Sequence, residues 1–128
     1  MTRFIPTMFA LILLSLAPAH ADEADVLTAR IKRTAPGIFK IDAEVRHADT
    51  GWDHYADGWD IVGPDGEVID TRVLGHPHEQ EQPFTRSKSG IAIPANITRI
   101  TIRAHDSVHG YGGKTVTLSV PHAESHGS

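Results

Sequence analysis

The chain contains no cysteine, and its two methionines, Met1 and Met8, both fall within the first ten residues. Beyond that point there is no sulfur. Thiol chemistry, disulfide frameworks, iron–sulfur clusters and thioether copper(I) sites are thereby excluded. Basic charge is also scarce: 12 Lys and Arg stand against 16 Asp and Glu, a formal net charge of −4. No basic stripe is present, which argues against nucleic acid and anionic membrane surfaces as partners. No helix-period pattern occurs past residue 21, and no apolar run reaches the roughly 20 residues needed to span a bilayer. Internal repeats and low-complexity stretches are missing as well.

What is present begins with an export pattern. Met1-Thr2-Arg3 leads into an apolar block, Met8 to Ala17, and then to Ala19-His20-Ala21 with Asp22-Glu23 behind it. A basic start, a short apolar stretch and an A-x-A site predict a signal peptide, residues 1–21, cleaved after Ala21. The product would be periplasmic or secreted, and the missing cysteine excludes a lipid-modified one. Cleavage leaves 107 of the 128 residues, enough for one domain. The loss of Arg3 takes the formal charge from −4 to −5. Cleavage after Ala19 would instead expose His20, whose amine and imidazole can chelate copper(II). That arrangement resembles the histidine brace of some exported β-sandwich copper proteins, but the acidic pair after Ala21 fits the later site better.

The rest reads as strands. Residues 38–47 alternate, with Phe39, Ile41, Ala43 and Val45 on one face and Lys40, Asp42, Glu44 and Arg46 on the other. His47 shares the parity of the apolar face. Further strands are predicted at 24–34, 59–62, 67–74, 84–93, 99–105 and 114–120, with the 84–93 stretch irregular. Turns are predicted at Ala35-Pro36-Gly37, Gly63-Pro64-Asp65-Gly66 and Pro94-Ala95-Asn96. Seven short strands in about 100 residues predict an all-β fold, an immunoglobulin-like or fibronectin III-like antiparallel sandwich. The domain should span 22–121, followed by a flexible tail, 122–128, that carries His122 and His126.

In that arrangement three unusual stretches fall at one end. They are Gly51-Trp52-Asp53-His54-Tyr55-Ala56-Asp57-Gly58-Trp59, Gly75-His76-Pro77-His78-Glu79-Gln80-Glu81 and Ala104-His105-Asp106-Ser107-Val108-His109-Gly110-Tyr111-Gly112-Gly113. The three opposite turns hold neither histidine nor aromatic residues. The segments 46–57, His76-Pro77-His78, Glu81 to Thr85 and 104–110 resemble those of a group of small exported bacterial β-sandwich proteins. The resemblance covers roughly residues 40–120. It implies a periplasmic β-sandwich and implies no activity.

His47, His54, His76, His78, His105 and His109, with Asp53 and Asp106, are the candidate metal ligands. Imidazole with carboxylate support suits zinc(II) or copper(II). The competing reading makes His47 and His105 hydrogen-bonded edge residues and His76-Pro77-His78 a solvated loop. Trp52, Tyr55, Asp57, Glu79 and Tyr111 form a candidate ligand surface, whereas Trp59, inside a strand, is expected in the core. Gly110 to Gly113 lacks the lysine and following helix of a phosphate loop. Ser107 beside His105 and Asp106 is poor evidence for a catalytic triad, because adjacency in sequence does not give triad geometry. The leading expectation is a small periplasmic module holding a divalent transition metal. The alternative is a non-enzymatic domain that recognises a protein or glycan through the same surface. A metal-dependent enzyme ranks third, since so small a domain offers little pocket.

Overall fold

The computed structural model describes residues 23–123; the expected signal peptide and residues 124–128 lie outside them. Seven strands form: β1 (Asp25–Ala35), β2 (Ile38–Arg46), β3 (Ala56–Val62), β4 (Val68–Val73), β5 (Phe84–Ala92), β6 (Arg99–Asp106) and β7 (Val116–Ser119). They make two antiparallel sheets, ordered β1-β2-β5 and β4-β3-β6-β7. The described residues include no helix, so the all-β sandwich expected from the alternation is what the chain adopts.

The period-2 pattern sets which side chains meet between the sheets. Phe39, Ile41, Ala43 and Val45 of β2 face Trp59, Ile61, Ile100, Ile102 and Ala104 of β3 and β6, and all of them are buried. Each large member contributes about 1.5–3 kcal/mol through burial. Trp59 lies wholly in this core as expected, although its indole Nε1 has no hydrogen-bond partner. The stretch expected to be irregular forms a strand, β5, broken by a register shift near Gly90 (φ +69°), with Phe84 and Ile91 inward.

Two departures matter for the site. β3 starts at Ala56 rather than Trp59, because Ala56 pairs with Asp106 and Gly58 with His105. The register shift between those pairs is a bulge at Asp57, a device that re-aims a side chain. The second departure is at the start of β1. The Val26 amide donates to the Lys114 carbonyl at 2.9 Å, and the Lys114 amide donates to buried Asp25 at 2.8 Å. Gly113 lies so close that a Cβ there would stand 2.0 Å from the Ala24 carbonyl oxygen. The β6–β7 loop is thus clamped to the first strand. At the far end His122, expected in the tail, sets its ring edge on Phe39 (centroids 5.4 Å apart), and its Nε2 lies 2.8 Å from the Ile97 carbonyl.

Candidate metal centre

Three loops, β2–β3, β4–β5 and β6–β7, meet at one end of the sandwich, and Asp49 ties the first two together. Its carboxylate is buried. Oδ1 accepts from the Ala56 amide at 3.0 Å and lies 2.6 Å from His47 Nδ1; Oδ2 accepts from the His78 amide at 2.7 Å. Gln82 closes the ring of contacts: its Oε1 accepts from the His47 amide, and its Nε2 donates to the His78 carbonyl. The third loop joins through Ser107 and Tyr55, which exchange amide–hydroxyl and amide–carbonyl bonds of 3.0 and 2.9 Å.

Where the loops meet, three ligand-type atoms converge. His47 Nε2 lies 3.2 Å from His54 Nε2 and 3.1 Å from Asp106 Oδ2, and His54 Nε2 lies 2.6 Å from that same oxygen. These three residues form a group whose atoms can share one ion. His109 Nδ1 lies 3.2 Å from Asp106 Oδ2, and the His109 and His54 rings tilt together with centroids 4.9 Å apart. Ligands about 2.0–2.2 Å from a tetrahedral ion stand about 3.3–3.6 Å from one another. Most of the observed separations fall just short of that, so small side-chain movements would admit an ion.

Proton placement makes the same point. A carboxylate only accepts, so a neutral His47 carries its proton on Nδ1, facing Asp49. Its Nε2 lone pair then faces the Asp106 carboxylate and the His54 ring. Without a cation on that side, two electron-rich atoms oppose each other in a buried space. Asp49 behind His47 is the carboxylate–imidazole support that orients ligating histidines. Burial would raise the Asp106 carboxyl. Hydrogen bonds from the His109 and His54 rings and the His109 amide outweigh burial and hold it below the ordinary carboxylate value.

The other predicted ligands lie elsewhere. His76 and His78 lie tilted to one another with centroids 4.6 Å apart, and His78 lies flat on Phe84 at 3.9 Å and 9°. His78 is 6% exposed, and neither of its ring nitrogens has a hydrogen-bond partner. Burial, then the charges of Arg86 and His76, push its pKa down. His105 points to the outer face of β4-β3-β6-β7, as its parity requires. There its Nδ1 lies 2.5 Å from Asp57 Oδ1, and its ring packs edge-on to Tyr111. Asp60, Arg103 and Thr71 extend this second network: the Tyr111 hydroxyl donates to Asp60 at 2.5 Å and the Arg103 guanidinium covers the Tyr111 ring at 3.8 Å. The bond to Asp60, then burial, raises the Tyr111 pKa. Asp53 is exposed. Trp52 is also exposed and meets the Tyr55 ring edge-on, with Glu79 across the loop boundary.

Asp49 is not among the residues the sequence singled out. A signal for it was present, a carboxylate two residues after the imidazole that ends a strand on its buried parity. Asp60 was also not singled out; it falls inside a strand and takes its role from the pairing with Arg103.

An antiparallel β-sandwich with an imidazole–carboxylate cluster at one end is the class that fold and site define. No family model matches the chain. A "Putative lipoprotein" of Halomicrobium mukohataei is 33% identical over 96 residues, 75% of this chain and 47% of that protein. The chain therefore spans about half the length of the relative it matches. Among solved structures, a point variant of the superoxide reductase (neelaredoxin) of Archaeoglobus fulgidus, in the reduced form, has a TM-score of 0.48 and 11% identity. That match covers 77% of this chain and 90% of that one.

Proposed function

We propose that this is an exported domain that holds one divalent transition metal, copper(II) or zinc(II), through His47 Nε2, His54 Nε2 and Asp106 Oδ2. His109 Nδ1 supplies the fourth position. The observation that carries the reading is the convergence of three donor atoms within 3.2 Å around a His47 tautomer set by Asp49. Export is supported by the basic, apolar and A-x-A succession in residues 1–21 and by the lipoprotein name of the relative.

The donor set is nitrogen and oxygen without sulfur, so copper(II) is expected to bind more tightly than zinc(II), following the usual divalent order. His54 and His109 keep part of their rings exposed, whereas His47 and Asp106 are enclosed. The ion would enter from the His54–His109 side. The test is elemental analysis and calorimetric titration of untagged protein with copper and zinc. One equivalent bound, lost in H54A, is the expected result. A titration no tighter than that of an unfolded peptide of equal composition would leave the cluster as a hydrogen-bonded tie between the loops, and the metal reading would fall.

A further inference from the structure

A cleft separate from the histidine–carboxylate cluster opens at the same end of the sandwich. It has a volume of about 430 Å³ and is lined by Trp52, His76, Pro77, Glu79 and Gln80. Nothing in the metal reading uses it. We infer that this cleft is a binding site for a neutral saccharide.

Trp52 is the first reason. It is 67% exposed, the largest exposure of any big apolar side chain described. The edge-on contact with Tyr55, centroids 5.5 Å apart at 71°, steadies the indole while leaving it in solvent. Single exposed apolar residues are ordinary, but an exposed indole on the wall of a cleft offers a flat face for the C–H face of a sugar ring.

The other wall supplies what hydroxyl groups need. Glu79 accepts, Gln80 both donates and accepts, and Pro77 adds an apolar strip. His76 Nδ1 lies 2.9 Å from the Pro77 carbonyl, so that nitrogen is the donor and Nε2 remains as an acceptor. A sugar hydroxyl both donates and accepts, and mixed planar groups facing one aromatic satisfy several at once. The charge narrows the class. Glu79 is the carboxylate of the cleft, and exposed Asp53 follows Trp52 in the sequence. An anionic ligand such as a phosphate or sulfated sugar would meet repulsion there.

The cleft is also built in advance, as small-molecule sites usually are. Its two walls belong to different loops, yet Asp49 and Gln82 bond those loops together. Gly51 seats Glu79 directly: a Cβ at Gly51, whose φ is +129°, would come within 3.2 Å of Glu79 Oε2. The volume lies within the range of about 300–1,000 Å³ usual for ligand pockets.

The two tryptophans provide a clean reporter, because Trp59 is fully buried and Trp52 is not. Cello-, chito-, malto- and mannotetraose would be titrated into the whole chain with tryptophan emission as the signal, and any binding repeated by calorimetry. At least one should give a saturable change that protects the indole from acrylamide quenching. W52A should abolish that binding, W52F should keep part of it, and E79Q or Q80A should weaken it about tenfold or more. The same titration with EDTA present should be unchanged, which separates this site from the metal centre. No saturable response from any of the four sugars overturns the inference, as does binding that survives W52A. Should W52A misfold, calorimetry on E79Q and Q80A decides: unchanged affinity in both also overturns it.

Discussion

His105 and Asp106 are consecutive on β6, yet each is bonded to a group on the opposite side of its sheet. Asp106 turns inward and meets His47, His54 and His109; His105 turns outward and meets Asp57. Strand alternation alone separates them. The bulge at Asp57 completes the arrangement by carrying that carboxylate to the outer face, where Gly58 pairs with His105. The imidazole–carboxylate cluster and a polar network thus share one strand end back to back, and the consequences can be tested residue by residue.

The first consequence is selectivity among the histidines. H47A, H54A and D106N should each abolish tight copper or zinc binding, and H109A should weaken it. H105A and H76A should leave it within about twofold, because neither ring reaches the cluster. Calorimetry on the six variants decides. Equal losses in H105A and H54A would show that the outer and inner faces are not independent.

Asp49 should matter to the metal without touching it. D49N keeps the shape but can donate as well as accept, so the His47 tautomer is no longer enforced. Metal affinity should fall about 10–100-fold, as for other groups that orient a ligating imidazole. Stability should drop by about 1–3 kcal/mol, since a buried carboxylate with three partners is replaced. Urea titration of the apo protein beside metal titration separates the two effects.

Acid should loosen the domain through His78. Its folded pKa lies below the ordinary 6.5, so the unfolded chain binds a proton that the folded one refuses. Stability therefore rises with pH across the window between the lowered value and about 6.5, and is lost as pH falls through it. In H78F, which keeps an aromatic ring on Phe84, that slope should shrink. Asp106 adds a separate loss at lower pH. Its carboxyl sits below the ordinary 3.8, so its contribution is intact at neutral pH and disappears only beneath that value. Thermal melts of the metal-free protein from about pH 2 to 8 measure both.

The core offers a control. I41A and I102A should each cost about 2–5 kcal/mol, since both side chains are fully buried between the sheets. Chemical denaturation checks this.

Strands, sheet layout and the pole where the histidines gather could all be read from alternation and turn residues, because those depend on local pattern. His47 and Asp106 could be named as ligands for the same reason. What could not be read was how the gathered residues divide. His105 leaves the cluster by its parity on β6, but the partner that holds it on the outer face, Asp57, is aimed there by a one-residue bulge, and a bulge has no signature in alternation. His78 leaves because Phe84 offers it a flat surface at 3.9 Å, a contact between residues on different elements. Asp49 is legible only in its pairing with His47 two residues earlier; its bonds to the Ala56 and His78 amides, which tie the loops together, depend on the fold.

The clamp between β1 and the β6–β7 loop fixes where the described chain enters, and the His122–Phe39 contact fixes where it leaves. Entry is at the histidine pole, and exit is at the other. A peptide fused ahead of Glu23 would emerge beside the loop that carries His109. One fused after Ala123 would emerge a whole domain length away. Attachment of the protein to a surface through its C-terminal side would therefore present both the metal centre and the Trp52 cleft outward, and attachment through its N-terminal side would turn them toward the support.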